Sequence, residues 1–138
     1  MNPRVTIIEH TADVGIEVEA ESVEELFEVA AAAMFGLMYP RLPDAPTEER
    51  LVRVEGEEPV ELLVNWLNEL LYLAEAEGLV FGRFEVRVVR DVALRARAWG
   101  VRAEDMDPPV REIKAATYHM LRLEKVPGGH VARIIFDL

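Results

Sequence analysis

The sequence predicts an α+β fold, a two-layer sandwich with two helices packed on one face of a mixed, mostly antiparallel sheet. Three observations carry that expectation. Two long segments repeat apolar residues at the three-and-four spacing of helices, and about seven shorter segments read as strands. Helices and strands do not alternate in the regular way that parallel βαβ units require. With 138 residues, 51% of them apolar, the chain can bury one compact core, so a single domain over 1–138 is expected.

Val5 to Glu9 and Ile16 to Ala20 alternate apolar and polar residues, the period of half-buried strands. Ser22-Val23-Glu24-Glu25 has the spacing of a capping box and opens a helix over Val23 to Met38. Leu26, Phe27, Ala30, Ala33, Met34 and Leu37 share one face of it. The three prolines between Tyr39 and Glu49 mark an exposed loop, and Leu51 to Glu55 forms a short strand. A second helix is expected from Pro59 to Glu77, because proline suits a first helical turn and Gly78 can end the last one. Its polar stripe is narrow, so this helix should be the more buried of the two. Further strands are expected at Phe84–Val89, Ala93–Val101, Glu112–Lys125 and Val131–Phe136. With Gly128-Gly129 as the hairpin turn, Leu121 falls opposite Phe136, Leu123 opposite Ile134 and Glu124 opposite Arg133.

Composition narrows the chemistry. The chain has no cysteine, which excludes disulfides, zinc-thiolate sites and thiol catalysis and leaves oxygen or imidazole to hold any metal. The net charge of −11 is uneven: residues 1–82 carry 4 basic and 18 acidic groups, residues 83–138 carry 11 and 8. An acidic protein gains little from counterion release, so strong direct binding of nucleic acid is disfavoured and a basic protein partner is favoured. No apolar run reaches the ~20 residues of a membrane-spanning helix, and the start of the chain lacks a signal-peptide pattern. A cytoplasmic protein is expected, with no membrane partner. Thirteen arginines against two lysines and the lack of glutamine suit a thermophile.

P-loop, dinucleotide, HExxH and nucleophile-elbow motifs are all missing, which argues against a familiar enzyme class. Three segments remain. His10-Thr11-Ala12-Asp13-Val14-Gly15 turns the chain at a strand end, where Thr11 and Asp13 can bond local amides or face a ligand. Ile135-Phe136-Asp137-Leu138 ends in two anionic groups one residue apart, oxygens suited to a hard cation or simply to solvent. Glu112 to His119 contains Lys114, one of the two lysines, in a chain that otherwise uses arginine. His119 and His130 have no zinc-like spacing.

In this order and in a chain of this length, HTADVG, EGLVFG, REIKAATYH and IIFDL together resemble the archease family. The resemblance covers nearly the whole chain. It implies a non-enzymatic protein that activates the GTP-dependent RtcB-type RNA ligase of transfer-RNA splicing, promoting guanylylation of the ligase histidine and multiple turnover. It implies a divalent ion, calcium first and magnesium or manganese next, on Asp13, Asp137 and the backbone or carboxylate oxygen of Leu138. The family's functional lysine matches Lys114. His10, Thr11, Tyr118 and His119 are candidates to support that site, and Met120 stands where relatives often carry an acidic residue. Two other classes stay open on the residues alone: a divalent-metal phosphohydrolase and a chaperone-like binding module with an exposed apolar patch. The hairpin register also sets a difficulty, because it leaves Lys114 six residues from the partner of Asp137, about 20 Å along a straight strand. Only a bulge or bend would bring them together.

Overall fold

The computed structural model describes residues 2–9, 13–90 and 92–138. Seven strands and two helices run in the order β1 (Arg4–Glu9), β2 (Asp13–Ala20), α1 (Val23–Met38), β3 (Glu48–Glu55), α2 (Pro59–Glu77), β4 (Leu79–Arg90), β5 (Ala93–Arg102), β6 (Ala115–Val126) and β7 (Gly129–Asp137), with a 3₁₀ turn at Ala103–Asp105. Both helices have the expected bounds, and the local chemistry explains why. Ser22 Oγ accepts the Glu25 amide at 3.1 Å while the Glu25 carboxylate accepts the Glu21 amide at 3.0 Å, which satisfies donors that a helix start leaves open. Pro59 opens α2, and Gly78, at φ 64, ends it in the left-handed conformation.

The fold is α+β, with the helices packed against antiparallel strands. The strands divide between two sheets, β1-β2-β7-β6 and β3-β5-β4. One reason lies at the β6 edge. The Asn68 side chain of α2 donates to the Ala116 carbonyl at 3.1 Å and accepts the Ala116 amide at 2.8 Å, taking the backbone groups a further strand would use.

Inside, α1 packs on β2 and β4 and α2 packs on β6 and β3. Trp66 is fully buried and donates its Nε1–H to the Phe27 carbonyl at 3.0 Å, joining the helices through a hydrogen bond that the indole would otherwise lose on burial. Phe35, Phe81 and Phe84 form an aromatic cluster, and Trp66 meets Phe84 edge-on. Against expectation, α1 is the more buried helix. Eight of its residues are buried against six in the longer α2, because Tyr72, Glu75, Ala76 and Glu77 in the last turns of α2 are exposed, Tyr72 and Glu75 along an open groove.

Three strand expectations need correction. β1 is an exposed edge, with Val5 43% and Ile7 55% accessible, since it has a neighbour on one side only. β4 starts at Leu79, five residues earlier than its alternating part, because Leu79, Val80 and Phe81 are buried in succession and carry no alternation. The third concerns the final hairpin. Its turn residues are Pro127 and Gly128, not Gly128 and Gly129: proline fixes the first turn position and Gly128 takes φ 84 at the second. Arg122 therefore faces Arg133, Leu123 faces Ala132, and Glu124 faces Val131. The Glu124–Arg133 and Leu121–Phe136 pairings do not form. Arg133 instead bonds Glu17 at 2.6 Å, and Arg122 bonds Glu124 along its own strand at 2.8 Å.

Candidate metal and partner site

β6 does not run straight. Between the pairs Thr117–Ile135 and Arg122–Arg133 the register shifts, so that Tyr118, His119, Met120 and Leu121 oppose Ile134 alone. Met120 takes φ 52, a left-handed conformation uncommon for a side chain of its size. The bulge absorbs the excess residues and removes the 20 Å separation. Beyond it Ala115 faces Asp137, and the Lys114 amide donates to the Asp137 carbonyl at 2.9 Å.

β7 is central here, flanked by β2 and β6. Asp13, at the start of β2, lies directly opposite Asp137. Asp13, Asp137 and Lys114 thus meet at the same end of three adjacent strands, although 124 residues separate the aspartates. Strand alternation puts Asp13 on the sheet face away from the helices, with Gly15, Glu17 and Glu19. A Cβ at Gly15 would overlap Ile135 Cδ1, so glycine lets that isoleucine pack flat beside the aspartates.

Charge on this face is balanced except at the site. Glu17 pairs with Arg133 and Glu19 with Arg4, each at 2.6 Å, whereas Asp13 faces a second carboxylate. Like charges directly opposite each other on neighbouring strands are destabilising. Moreover, Asp13 Oδ1 is buried and has no hydrogen-bond partner among the described residues. An orphaned carboxylate oxygen opposite another carboxylate is a donor set that fits a hard cation, which collects several oxygens. Among the described residues no group of three or more His, Asp or Glu side chains gathers as a metal cluster. The side-chain oxygens that strand pairing brings together are those of Asp13 and Asp137; Leu138 follows Asp137 directly, and its side chain packs against the core.

His10 and Thr11 lie outside the described residues. Tyr118 and His119 sit in the exposed bulge; the His119 amide donates to Thr117 Oγ1 at 3.3 Å, and Thr117 Oγ1 donates to the Ile135 carbonyl at 2.8 Å. Neither residue forms a hydrogen bond to Asp13 or Asp137. Desolvation, followed by the nearby carboxylates of Glu61 and Glu58, raises the Tyr118 phenol above its ordinary pKa.

Two residues the sequence did not single out position the site. Asn68 clamps Ala116, two residues beyond Lys114, while Arg111 reaches Glu9 at 2.9 Å and ties the segment leading into Lys114 to the end of β1. Only the unusual polarity of Asn68 within an apolar helix offered a sequence signal. Lys114 is exposed and lines a groove of ≈ 1060 Å³ with Tyr39, Asn68, Tyr72, Glu75 and Arg111.

Comparison with known proteins gives this arrangement its context. The chain matches the Archease protein family (MTH1598/TM1083) over residues 6–138. It belongs to the archease family. Protein archease of Pyrococcus abyssi is 41% identical over 138 residues, with 94% of this chain and 95% of that protein covered. Protein archease of Methanosarcina mazei is 39% identical, with coverages of 95% and 93%. The solution structure of Methanobacterium thermoautotrophicum protein 1598 superposes with a TM-score of 0.83 at 34% identity, covering 97% of this chain and 98% of that one. The crystal structure of a Thermotoga maritima archease, described as a possible chaperone, gives 0.66 at 26% identity, with coverages of 95% and 94%. Archeases are non-catalytic and act with RtcB-type RNA ligases. Among the described residues of this archease no helix is long and apolar enough to cross a membrane.

Proposed function

We propose that this archease activates a cytoplasmic RtcB-type RNA ligase by promoting guanylylation of the ligase and its repeated turnover. The convergence of Asp13, Asp137 and Lys114 on adjacent strand ends carries this reading. In it, Asp13, Asp137 and an oxygen of Leu138 hold a divalent cation, with calcium first and magnesium or manganese also compatible with the oxygen donors. A bound cation would offset the repulsion between the facing carboxylates and supply a local positive charge. The chain's own residues do the rest. Asn68 and the β6 bulge fix the backbone on either side of Thr117, and Lys114 presents a compact ammonium at the groove mouth, suited to a phosphate or an acidic group of the ligase.

Acidic residues at the start of α1 are candidates to steer docking to a basic cleft of the ligase. Of these, Glu25 and Glu28 already accept backbone amides from Glu21 and Val86, so Glu24 is the freest to serve. The deciding experiment follows guanylylation of a matched ligase with GTP, with and without this protein. Acceleration and multiple turnover are expected; an unchanged rate at saturating protein would remove the reading.

A further inference from the structure

The outer face of β3-β5-β4 carries a charge pattern opposite to that of the whole protein. Strand pairing sets Arg53, Arg95 and Arg87 side by side in one row across the three strands. The next row holds Leu51, Arg97 and Glu85, and the row beyond it Glu49, Trp99 and Arg83. All five arginines are exposed, in a chain whose net charge is −11. Arg97 pairs with Glu49 at 3.7 Å, and the Arg83 guanidinium lies 4.7 Å from the centre of the Trp99 ring. Among the described residues Arg53, Arg87 and Arg95 make no hydrogen bond or ion pair, in a chain with 26 acidic residues. Like charges opposite each other weaken a sheet, and Glu85 and Glu55, on the same face, form no ion pair with any of the three.

We infer that this face is a docking surface for single-stranded RNA, with Arg53, Arg87, Arg95 and Arg97 on successive phosphates and Trp99 against a base. Guanidinium groups match phosphate oxygens through paired donors. Across the strands the arginines are spaced at roughly 4.8 Å, and along β5 Arg95 and Arg97 at roughly 6.8 Å, close enough for one extended strand to span several of them. A row of cations would also suit an acidic peptide. Trp99 favours the nucleic acid, because a ring beside a cationic track serves base stacking and a carboxylate chain has no use for it. The repulsion of an acidic protein keeps such binding weak, with a Kd on the order of 10–100 µM at low salt, and so agrees with the absence of strong nucleic-acid affinity expected from composition. The choice of RNA among phosphodiester strands rests on the ligase reading, but this surface belongs to the other sheet from the Asp13–Asp137 site and its binding needs no ligase.

The test uses the full chain alone with a fluorescein-labelled oligouridine about 20 nucleotides long, read by anisotropy across a salt series. Binding should weaken with salt with a logarithmic slope of about −3, from four phosphate contacts on a single strand. The triple variant Arg53→Ala, Arg87→Ala, Arg95→Ala should lose at least tenfold in affinity and most of the slope, while melting no lower than the unmodified protein because repulsion has been relieved. Trp99→Leu should weaken binding several-fold at every salt concentration with the slope retained. The proposal is overturned if the unmodified protein fails to bind the RNA at low salt, or if the triple variant binds as well. It is overturned equally if Trp99→Leu changes nothing, or if a charge-matched glutamate peptide competes as effectively as unlabelled RNA. Because the ligase is absent from every arm, failure here would leave the ligase reading intact, and failure of ligase activation would leave this result standing.

Discussion

Asp13 and Asp137 are direct cross-strand partners at one end of the β2–β7 ladder, two carboxylates set where the next acidic residues along β2 each have an arginine. Folding alone gains nothing from that placement. The buried Oδ1 of Asp13, which has no partner among the described residues, adds a desolvation cost. Such a cost at a strand end is coherent when a cation completes the site.

Calcium should therefore raise the melting temperature. A cation that binds only the folded state stabilises it by about 2.7 kcal/mol at a hundred times its Kd, which is several degrees for a chain of this size. Asp13→Asn should abolish the increase and, with chelator present, melt at or above the unmodified protein because the facing charges are gone. Calorimetric titration checks the site itself. Equal calcium affinity for the unmodified protein and Asp13→Ala would remove Asp13 from it.

Asn68→Ala should lower stability by about 1–3 kcal/mol, because it leaves both the amide and the carbonyl of buried Ala116 without the Asn68 partner. The effect should extend to Lys114, two residues away, as faster hydrogen exchange of its amide, which is bonded to the Asp137 carbonyl. A melting temperature within a degree of the unmodified protein, with exchange at Lys114 unaltered, would show that β6 holds its place without the clamp.

The helices and most of the strands were legible in the sequence because each follows from a local rule: the Ser22–Glu25 box, Pro59 at a first turn, Gly78 at an end, alternation in β2 and β5. The last hairpin was not. Two glycines in succession suggested the wrong turn pair, and Pro127 with Gly128 satisfied the turn geometry better. That displacement, together with a bulge that has no sequence signature although Met120 takes φ 52 in it, hid the proximity of Lys114 to Asp137. The candidate residues themselves were visible only as motifs. Their meeting depends on register, which is a tertiary property, and so does the arginine row, whose members are scattered over β3, β4 and β5.

Glu28 should make stability fall as pH rises above the ordinary glutamate range. Burial raises its pKa despite the hydrogen bond from the Val86 amide, and the Glu25, Glu85 and Glu24 carboxylates add to the increase. Between the ordinary value and the raised one, the folded state binds more protons than the unfolded state, so stability decreases through that window. Glu28→Gln keeps an acceptor for Val86 and cannot ionise. It should therefore melt higher than the unmodified protein at pH 7 and lose this part of the decline, as read from melting curves at a series of pH values. Parallel curves for the two proteins would show that ionised Glu28 costs nothing.

Lys114→Ala should abolish ligase activation while leaving the fold intact. Its side chain is exposed and lies outside the core, and the hydrogen bond to Asp137 uses its backbone amide, which alanine retains. The stability change should stay within about 0.5 kcal/mol, as for other surface substitutions. Asp13→Ala and Asp137→Ala should also lose activation, but together with the cation, so calcium affinity separates the roles: Lys114→Ala should retain it. Lys114→Arg then decides what the ammonium contributes. A guanidinium keeps the charge but is planar and larger, so a site that uses Lys114 only for long-range attraction would be restored in full. A site that seats the ammonium against a phosphate or carboxylate at short range would recover little. Full guanylylation activity in all three alanine variants, with the cation lost from the two aspartate variants, would show that activation resides on another surface and that this end of the sheet is structural.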